Sequence, residues 1–386
     1  MTVLASIGQA ADGRWDALID GIAVSFGEGG LDQLGTLCAR YGGKRSLLVT
    51  DPGVRGAGHI RAATRALTET GVAVDVFDRL ATNPTTEHVR DGVEAAKRHE
   101  ADCLIAVGGG SAMDCAKGIN FIISNGGEMR DYWGSGMATQ PMLPSIGVPT
   151  TAGTGSDAQS YALISEAETG IKMACGDPKA AFRCVILDPL LTGSAPRDVI
   201  ATAGMDALSH AIESYVCTRR NERSQQYAFD AFSLIDPALL RVLEDPDDRV
   251  ARSAMLLGAF LAGAAIERSM LGAAHSCANP LTATHGIVHG AAVSLMMPAV
   301  MRFNSATVGH LYDRLQRCEP SGGASLVARV EERRRLAGLP ETLGACGVKD
   351  PDLDSLAQQA AAQWTAAFNP VPVAEPEMRL FYEQVA

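Results

Sequence analysis

Asp206-Ala-Leu-Ser-His210 sets a carboxylate and an imidazole four residues apart in a stretch of helical composition. At that spacing both side chains leave one face of a helix, so they can share a single cation. His275 follows in Ala274-His275-Ser-Cys-Ala-Asn279-Pro280, and His285 and His289 in Thr284-His285-Gly-Ile-Val-His289-Gly290, which read as two helix-boundary segments separated by a loop. One carboxylate with three imidazoles suits Fe²⁺ or Zn²⁺ and leaves a position for a substrate oxygen. A single histidine is more often a hydrogen-bonded structural residue, so the argument is cumulative: four of the eight histidines fall between positions 210 and 289. Spacing does not choose between His285 and His289, which are themselves four residues apart.

A second chemistry-bearing stretch is Leu104-Ile-Ala-Val107-Gly108-Gly109-Gly110-Ser111-Ala-Met-Asp114-Cys-Ala-Lys117, which reads as strand, glycine turn and helix start. Backbone N–H groups in such a turn approach a phosphate closely, and the helix end adds partial positive charge. Ser111 and Asp114 also spell a capping box, which needs no ligand. Neither G-x-G-x-x-G nor the P-loop pattern is present, so a standard Rossmann turn and a nucleotide-hydrolysing site are both unsupported. Asp51 ends the strand-like Leu47–Thr50, where a carboxylate would accept both ribose hydroxyls of NAD and repel a 2′-phosphate; local sequence favours a plain turn residue before Pro52. Val148–Asp157, with Thr150, Thr151, Thr154 and Ser156, is a small-residue loop of a length suited to a nucleotide cradle.

These residues need two kinds of scaffold. The first half alternates β-branched runs with helical stretches, the pattern of a parallel sheet covered by helices. Strands are expected at Ser46–Thr50, Val72–Phe77, Cys103–Val107 and Ser145–Pro149, with helices at Gly56–Thr70, Thr86–His99 and Ser111–Ile123. After Val185-Ile-Leu-Asp188-Pro189 the texture turns helical, with segments at Val199–Cys217, Ser224–Leu243, Arg249–Arg268, His289–Phe303, Gly323–Ala337 and Leu353–Phe368. The expected division is an α/β dinucleotide-binding domain over 1–189 and an all-α metal and substrate domain over 190–386.

Composition fits that plan. The 386 residues are 47% hydrophobic and 20% charged, enough for a large core, and the net charge of -11 disfavours nucleic acid as a partner. Arg333–Arg335 follows Glu331 and Glu332 and reads as a solvated helix face. Nine cysteines stand singly, with no C-x-x-C pair, as expected in a reducing cytoplasm. The N-terminal MTVLASIGQAADGRW lacks the pattern of an export signal, and no uninterrupted apolar run approaches the ~18 residues of a membrane span, so no membrane partner is expected.

Together these motifs resemble the iron-containing alcohol dehydrogenases, over nearly the whole chain from Val24-Ser-Phe-Gly-Glu-Gly29 to Phe368-Asn-Pro370. The resemblance implies a dehydroquinate synthase-like fold, NAD and one divalent metal (Fe²⁺ or Zn²⁺) as cofactors, a small alcohol or aldehyde as substrate, and a homodimer. It implies cofactor contacts at Asp51, Asn83, Pro84, Gly108, Gly109, Gly110, Ser111, Asp114, Thr150, Thr151, Thr154, Ser156 and Lys172. For the metal it implies Asp206, His210, His275 and His289, the last preferred over His285 because Leu295-Met-Met-Pro298-Ala-Val-Met-Arg302-Phe-Asn304 looks like the stretch after the final ligand. Many members carry a further histidine where this chain has Asn279, an amide that cannot shuttle a proton. Proton relay is then expected to pass through His285, a cofactor hydroxyl or water, which makes Asn279 and His285 the catalytic candidates. Asp157 stands where a Glu is commoner. Competing readings are a glycerol dehydrogenase or dehydroquinate synthase relative, and a catalytically silent nucleotide- or metal-binding protein.

Overall fold

A computed structural model describes residues 15–316 and 325–386. The N-terminal stretch before Trp15, Cys318 and the start of the helix expected at Gly323–Ala337 lie outside the described residues. The described chain divides into two compact units, one ending at Ala195 and one beginning at Pro196.

The first unit holds ten strands: β1 (Trp15–Ile19), β2 (Ile22–Phe26), β3 (Arg45–Val49), β4 (Ala73–Phe77), β5 (Cys103–Gly108), β6 (Gly134–Ser135), β7 (Ser145–Pro149), β8 (Tyr161–Ser165), β9 (Lys172–Gly176) and β10 (Cys184–Leu187). Seven form one sheet in the order β1-β2-β10-β7-β5-β3-β4, while β6, β9 and β8 form a small second sheet. Apart from the antiparallel β1–β2 pair, every neighbour in the large sheet is parallel. Every residue of β5, β7 and β10 is buried, as a parallel sheet covered on both faces requires. Helices α1 (Leu34–Arg40), α2 (Pro52–Gly56), α3 (His59–Glu69), α4 (Thr86–His99) and α5 (Gly110–Asn125) connect these strands.

Strand order reverses at β3 and β5: the chain runs from β3 outward to β4, then returns to place β5 on the other side. Open α/β sheets bind ligands at the carboxyl ends of the strands flanking such a reversal. Here those ends are Thr50–Asp51 and Gly108–Gly110, with Val49 in register with Ala106.

The expected strands and helices of this unit are all present, with Gly56–Thr70 appearing as α2 and α3 split at Gly58, a left-handed residue with φ 87°. The β1–β2 hairpin was not anticipated, although its two-residue turn, Asp20-Gly21 with φ 51° and 91°, is the dipeptide that such turns demand. The capping box does not form: the N-cap of α5 is Gly109, with no side-chain bond, and Ser111 lies inside the first turn.

The second unit is helical: α6 (Arg197–Val216), α7 (Glu222–Glu244), α8 (Arg249–Glu267), α9 (Ala273–His285), α10 (His289–Gln316), α11 (Leu326–Leu336), α12 (Leu353–Ala361) and α13 (Glu375–Glu383). α8 is long and apolar enough to cross a membrane by composition alone, but most of it is buried among the other helices. The expected loop after His275 is corrected to a single helix, α9, which continues through Pro280. A proline lacks the N–H that closes a helical turn, which is why the sequence reads as a break there.

Candidate metal centre and cofactor cradle

From Gly204 to Val216, α6 is buried on all sides, and yet it carries Asp206, His210 and Glu213. Positions i, i+4 and i+7 share one face. A buried carboxylate costs several kcal/mol unless it is paired or coordinates a cation. Three imidazoles meet that requirement: Asp206 Oδ1 lies 3.4 Å from His210 Nε2, 3.5 Å from His275 Nε2 and 3.9 Å from His289 Nε2. The His210 and His275 rings stack with centroids 4.8 Å apart, and His289 stands 5.4 Å from His275.

These separations are long for hydrogen bonds, and Asp206 Oδ1 and His275 Nε2, both buried, have no hydrogen-bond partner. They match a shared cation, because ligand atoms bound tetrahedrally at ~2.1 Å lie ~3.4 Å from one another. The ligand atoms of Asp206, His210 and His275 all fall within 4.8 Å of each other. His289 completes the set from the more open side, with 28% of its side chain exposed against 5% for Asp206. The residues present therefore fit one divalent cation.

The electrostatics agree. Burial alone would raise the Asp206 carboxyl, but His210, His275 and His289 outweigh it and hold the group well below the carboxylate range. Burial opposes charge on His275, whereas Asp206 and Glu213 push its pKa up to about 9. A pocket that favours a proton this strongly also favours a cation.

Two local features place these side chains. Gly290 follows His289, and a Cβ there would strike the Thr202 carbonyl of α6, so only glycine lets α10 approach close enough to bring His289 to Asp206. Glu213 Oε2 accepts a hydrogen bond from His275 Nδ1 at 2.6 Å, while its Oε1 accepts one from the Ala274 N–H at 2.8 Å. A carboxylate on the far nitrogen fixes the tautomer and turns Nε2 toward the cluster. Asn369 Oδ1 takes the Ala273 N–H, and Asn369 and Asn304 exchange two amide hydrogen bonds at 3.0 and 2.8 Å. Sequence reasoning assigned no role to Glu213, Asn304 or Asn369; the i+7 spacing of Glu213 from Asp206 was the available signal.

The two expected catalytic residues lie at different places on α9. His285 is exposed on the last turn of α9, ten residues beyond His275 and so about 15 Å along the helix axis. That distance removes it as a fellow ligand of His275. Asn279 lies one turn after His275, with its Nδ2 donating to Gln363 Oε1 at 3.1 Å.

In the α/β unit the glycine turn is covered by the loop after β7. A Cβ on Gly109 would meet Thr151 Oγ1, and one on Gly110 would meet Thr154 at 2.7 Å. A Cβ on Gly108 would meet Ala112 at 2.8 Å and lie 3.5 Å from Asp51 Oδ2. The missing side chains therefore seat Thr151 and Thr154 over the turn. Asp51 is the N-cap of α2, with Oδ1 accepting from the Gly53 and Val54 N–H groups, the turn role that local sequence favours. Asn83 has φ 57° and its N–H donates to Ser111 Oγ at 3.3 Å, placing the Asn83-Pro84 turn beside the helix start. Ser156 and Thr150 are buried, and Lys172 opens β9. Asp114 is buried, and burial pushes its pKa up to about 6.

Comparison with known proteins covers both units. A family profile for iron-containing alcohol dehydrogenase matches residues 23–189, and one for the C-terminal part of the Fe-containing alcohol dehydrogenase family matches 200–386. The chain is 33% identical to alcohol dehydrogenase 4 of Schizosaccharomyces pombe, covering 93% of this chain and 86% of that protein. It is 32% identical to an NAD-dependent methanol dehydrogenase of Bacillus methanolicus, covering 89% and 93%. A crystal structure of a 1,3-propanediol oxidoreductase superposes with a TM-score of 0.92 at 31% identity, covering 96% of this chain and 99% of that one.

Proposed function

We propose, because this chain belongs to the iron-containing alcohol dehydrogenase family, that Asp206, His210, His275 and His289 bind one divalent cation, Fe²⁺ or Zn²⁺, at which an alcohol is oxidised. The protein is an oxidoreductase that interconverts an alcohol and its aldehyde or ketone with NAD. The observation that carries the site assignment is the convergence of three imidazole Nε2 atoms on Asp206 Oδ1.

When bound, the cation supplies the charge that acidifies a substrate hydroxyl, and NAD supplies the hydride acceptor. Asp206 offsets part of the cation charge, and Glu213 keeps the His275 Nε2 lone pair directed at it. Between His275 and His285 the only titratable side chain on α9 is Cys277, which is buried and bonded to Met378. Asn279 can orient a polar group but neither takes nor releases a proton. A proton released from the substrate would then pass to water, a cofactor hydroxyl or, through water, His285. On the other unit, N–H groups of Gly109–Ser111 would hold the diphosphate and Asp51 would hold the ribose hydroxyls.

Relatives named for methanol and 1,3-propanediol put short primary alcohols first among substrates. We also read the protein as cytoplasmic and homodimeric. All eight described cysteines are free, seven of them buried, and among the described residues β1 is an outermost strand with Leu18 exposed, an edge suited to pairing. The test is NADH absorbance against a panel of primary alcohols, diols and hydroxy acids, paired with metal analysis of protein purified without chelator. Turnover with about one cation per chain is expected; cofactor binding without NADH formation across the panel would refute the reading.

A further inference from the structure

Helix α10 carries His289 at its start and Asn304 further on, and between them stands Pro298. A proline inside a helix has no N–H to give, and its ring crowds the carbonyl four residues back, here that of Ser294. The first turns of α10, which bear His289, are therefore joined to the rest of the helix by a weakened hydrogen-bond ladder. Ser294 and Leu295 are both fully buried, so a carbonyl left free there needs a partner within the protein.

That partner comes from α11. The run Arg333–Arg335 reads in the sequence as a solvated helix face, which the structure corrects for two of its three members. Arg333 donates from Nε to Oδ1 of the buried Asp236 on α7 at 3.0 Å, and Arg334 is itself buried. Arg334 Nη1 lies between two carbonyls of α10, 3.5 Å from Ser294 and 3.3 Å from Leu295, and donates to both. Its acidic neighbour Glu341, 3.5 Å from Nη2, is half exposed and a weak partner. A buried guanidinium is costlier than an apolar residue unless its donors are used, and the carbonyls upstream of Pro298 use them. One turn earlier on α11, Glu331 pairs with Arg302, on the far side of Pro298. α11 thus holds α10 on both sides of the break.

We propose that Arg334 is a positioning residue for the metal centre: by donating to the carbonyl that Pro298 leaves without its helical N–H, and to the next one, it fixes the first turns of α10 and so holds His289 Nε2 against Asp206. This inference rests on reading Asp206, His210, His275 and His289 as the cation site. His289 has most need of such support, because it stands at the start of its helix, 28% exposed, whereas His275 is oriented by Glu213. Ser294 lies five residues from His289, ~7.5 Å along the helix axis. A ligand atom has to be held within about 0.5 Å of its place for full affinity, so freedom at the break reaches the cation.

The experiment measures Co²⁺ affinity by chelator competition, and the visible absorption of the Co²⁺-loaded full chain, for the wild type, Arg334→Met, Arg334→Lys, Arg333→Met, Pro298→Ala and the double variant Pro298→Ala with Arg334→Met. Arg334→Met is expected to weaken Co²⁺ about tenfold and to alter its absorption, and Arg334→Lys to recover part of both. Arg333→Met, which loosens α11 from Asp236 but spares α10, should lower Tm and keep the affinity. Pro298→Ala returns an N–H to the Ser294 carbonyl, so adding Arg334→Met to it should weaken Co²⁺ less than about threefold. Wild-type affinity and absorption in Arg334→Met would overturn the proposal, as would an equal loss in Arg333→Met or an undiminished loss in the Pro298→Ala background. Should Arg334→Met alone not fold, the double variant decides: it must fold and hold Co²⁺, and its failure to do so would overturn the proposal. A wild type that holds no Co²⁺ would instead remove the reading of the cation site, and this inference with it.

Discussion

The helical unit and the α/β unit each carry one candidate site, and the two are built by opposite means. The metal centre is made of side chains drawn from three helices, α6, α9 and α10, and leaves buried polar atoms of Asp206 and His275 without hydrogen-bond partners. The cofactor cradle is made of backbone and of absent side chains: three glycines, the threonines that fill their space, and a loop pinned from beneath by α5. Convergent side chains identify their ligand by atom type and distance. A backbone cradle identifies only a shape, so it needs the strand reversal and Asp51 beside it before a dinucleotide is the natural occupant.

If the sites are as separate in construction as this, damage to one should leave the other intact. The largest effect is expected from Asp206→Ala or His275→Ala, which remove a metal ligand from a buried set: metal retention should be lost and turnover should fall by about a thousandfold or more, while NADH still binds. His285→Ala should keep the metal. Loss of NADH binding in the ligand variants, followed by fluorescence, would break the comparison.

A smaller loss should follow Glu213→Gln, because the amide can serve the His275 Nδ1–H or the Ala274 N–H with its single oxygen but not both. Metal affinity measured by chelator competition should fall about 10- to 100-fold, and an unchanged affinity would mean that His275 needs no orienting group. In the other unit, Gly110→Val should collide with Thr154 and raise KM for NAD about tenfold without changing metal content. Wild-type KM in that variant would show that the loop need not sit over the turn.

The smallest effect concerns Asp157, buried and with its pKa pushed up to about 6 by burial. The native state keeps this proton to a higher pH than the unfolded chain, whose carboxyl titrates near 4. Unfolding in that window releases a proton, so the group's contribution is fully present below about pH 4 and lost as pH rises through about 6. Asp157→Asn should therefore flatten the fall in stability between pH 5 and pH 7.5 by about 1 kcal/mol, measured by denaturant unfolding. An unaltered slope would mean the carboxyl is solvated.

Legibility in the sequence follows the same division. Helix Thr86–His99 and strand Ser145–Pro149 are found with the expected bounds because a capping box and a β-branched run are local signals. The Asp206–His210 pair is legible for the same reason. His289 was preferred to His285 only through family likeness, since both belong to one i, i+4 pair; the structure separates them by ending α9 at His285 and starting α10 at His289. α9 itself was hidden by Pro280, and the extension of α10 from the expected Phe303 to Gln316 by the polar Asn304–Thr307 run, where tertiary packing outweighs local propensity. Glu213, Asn304 and Asn369 act through contacts across 60 to 100 positions of chain, such as the 61 between Glu213 and Ala274; periodicity within a window cannot carry such distances.

The central claim is one cation held by one carboxylate and three imidazoles. Anomalous diffraction at the absorption edge of the bound metal, from crystals of protein purified without chelator, tests it most directly. A single peak within bonding distance of Asp206, His210, His275 and His289 is the predicted result. An active protein whose only peak lies elsewhere, or which shows none, would contradict it.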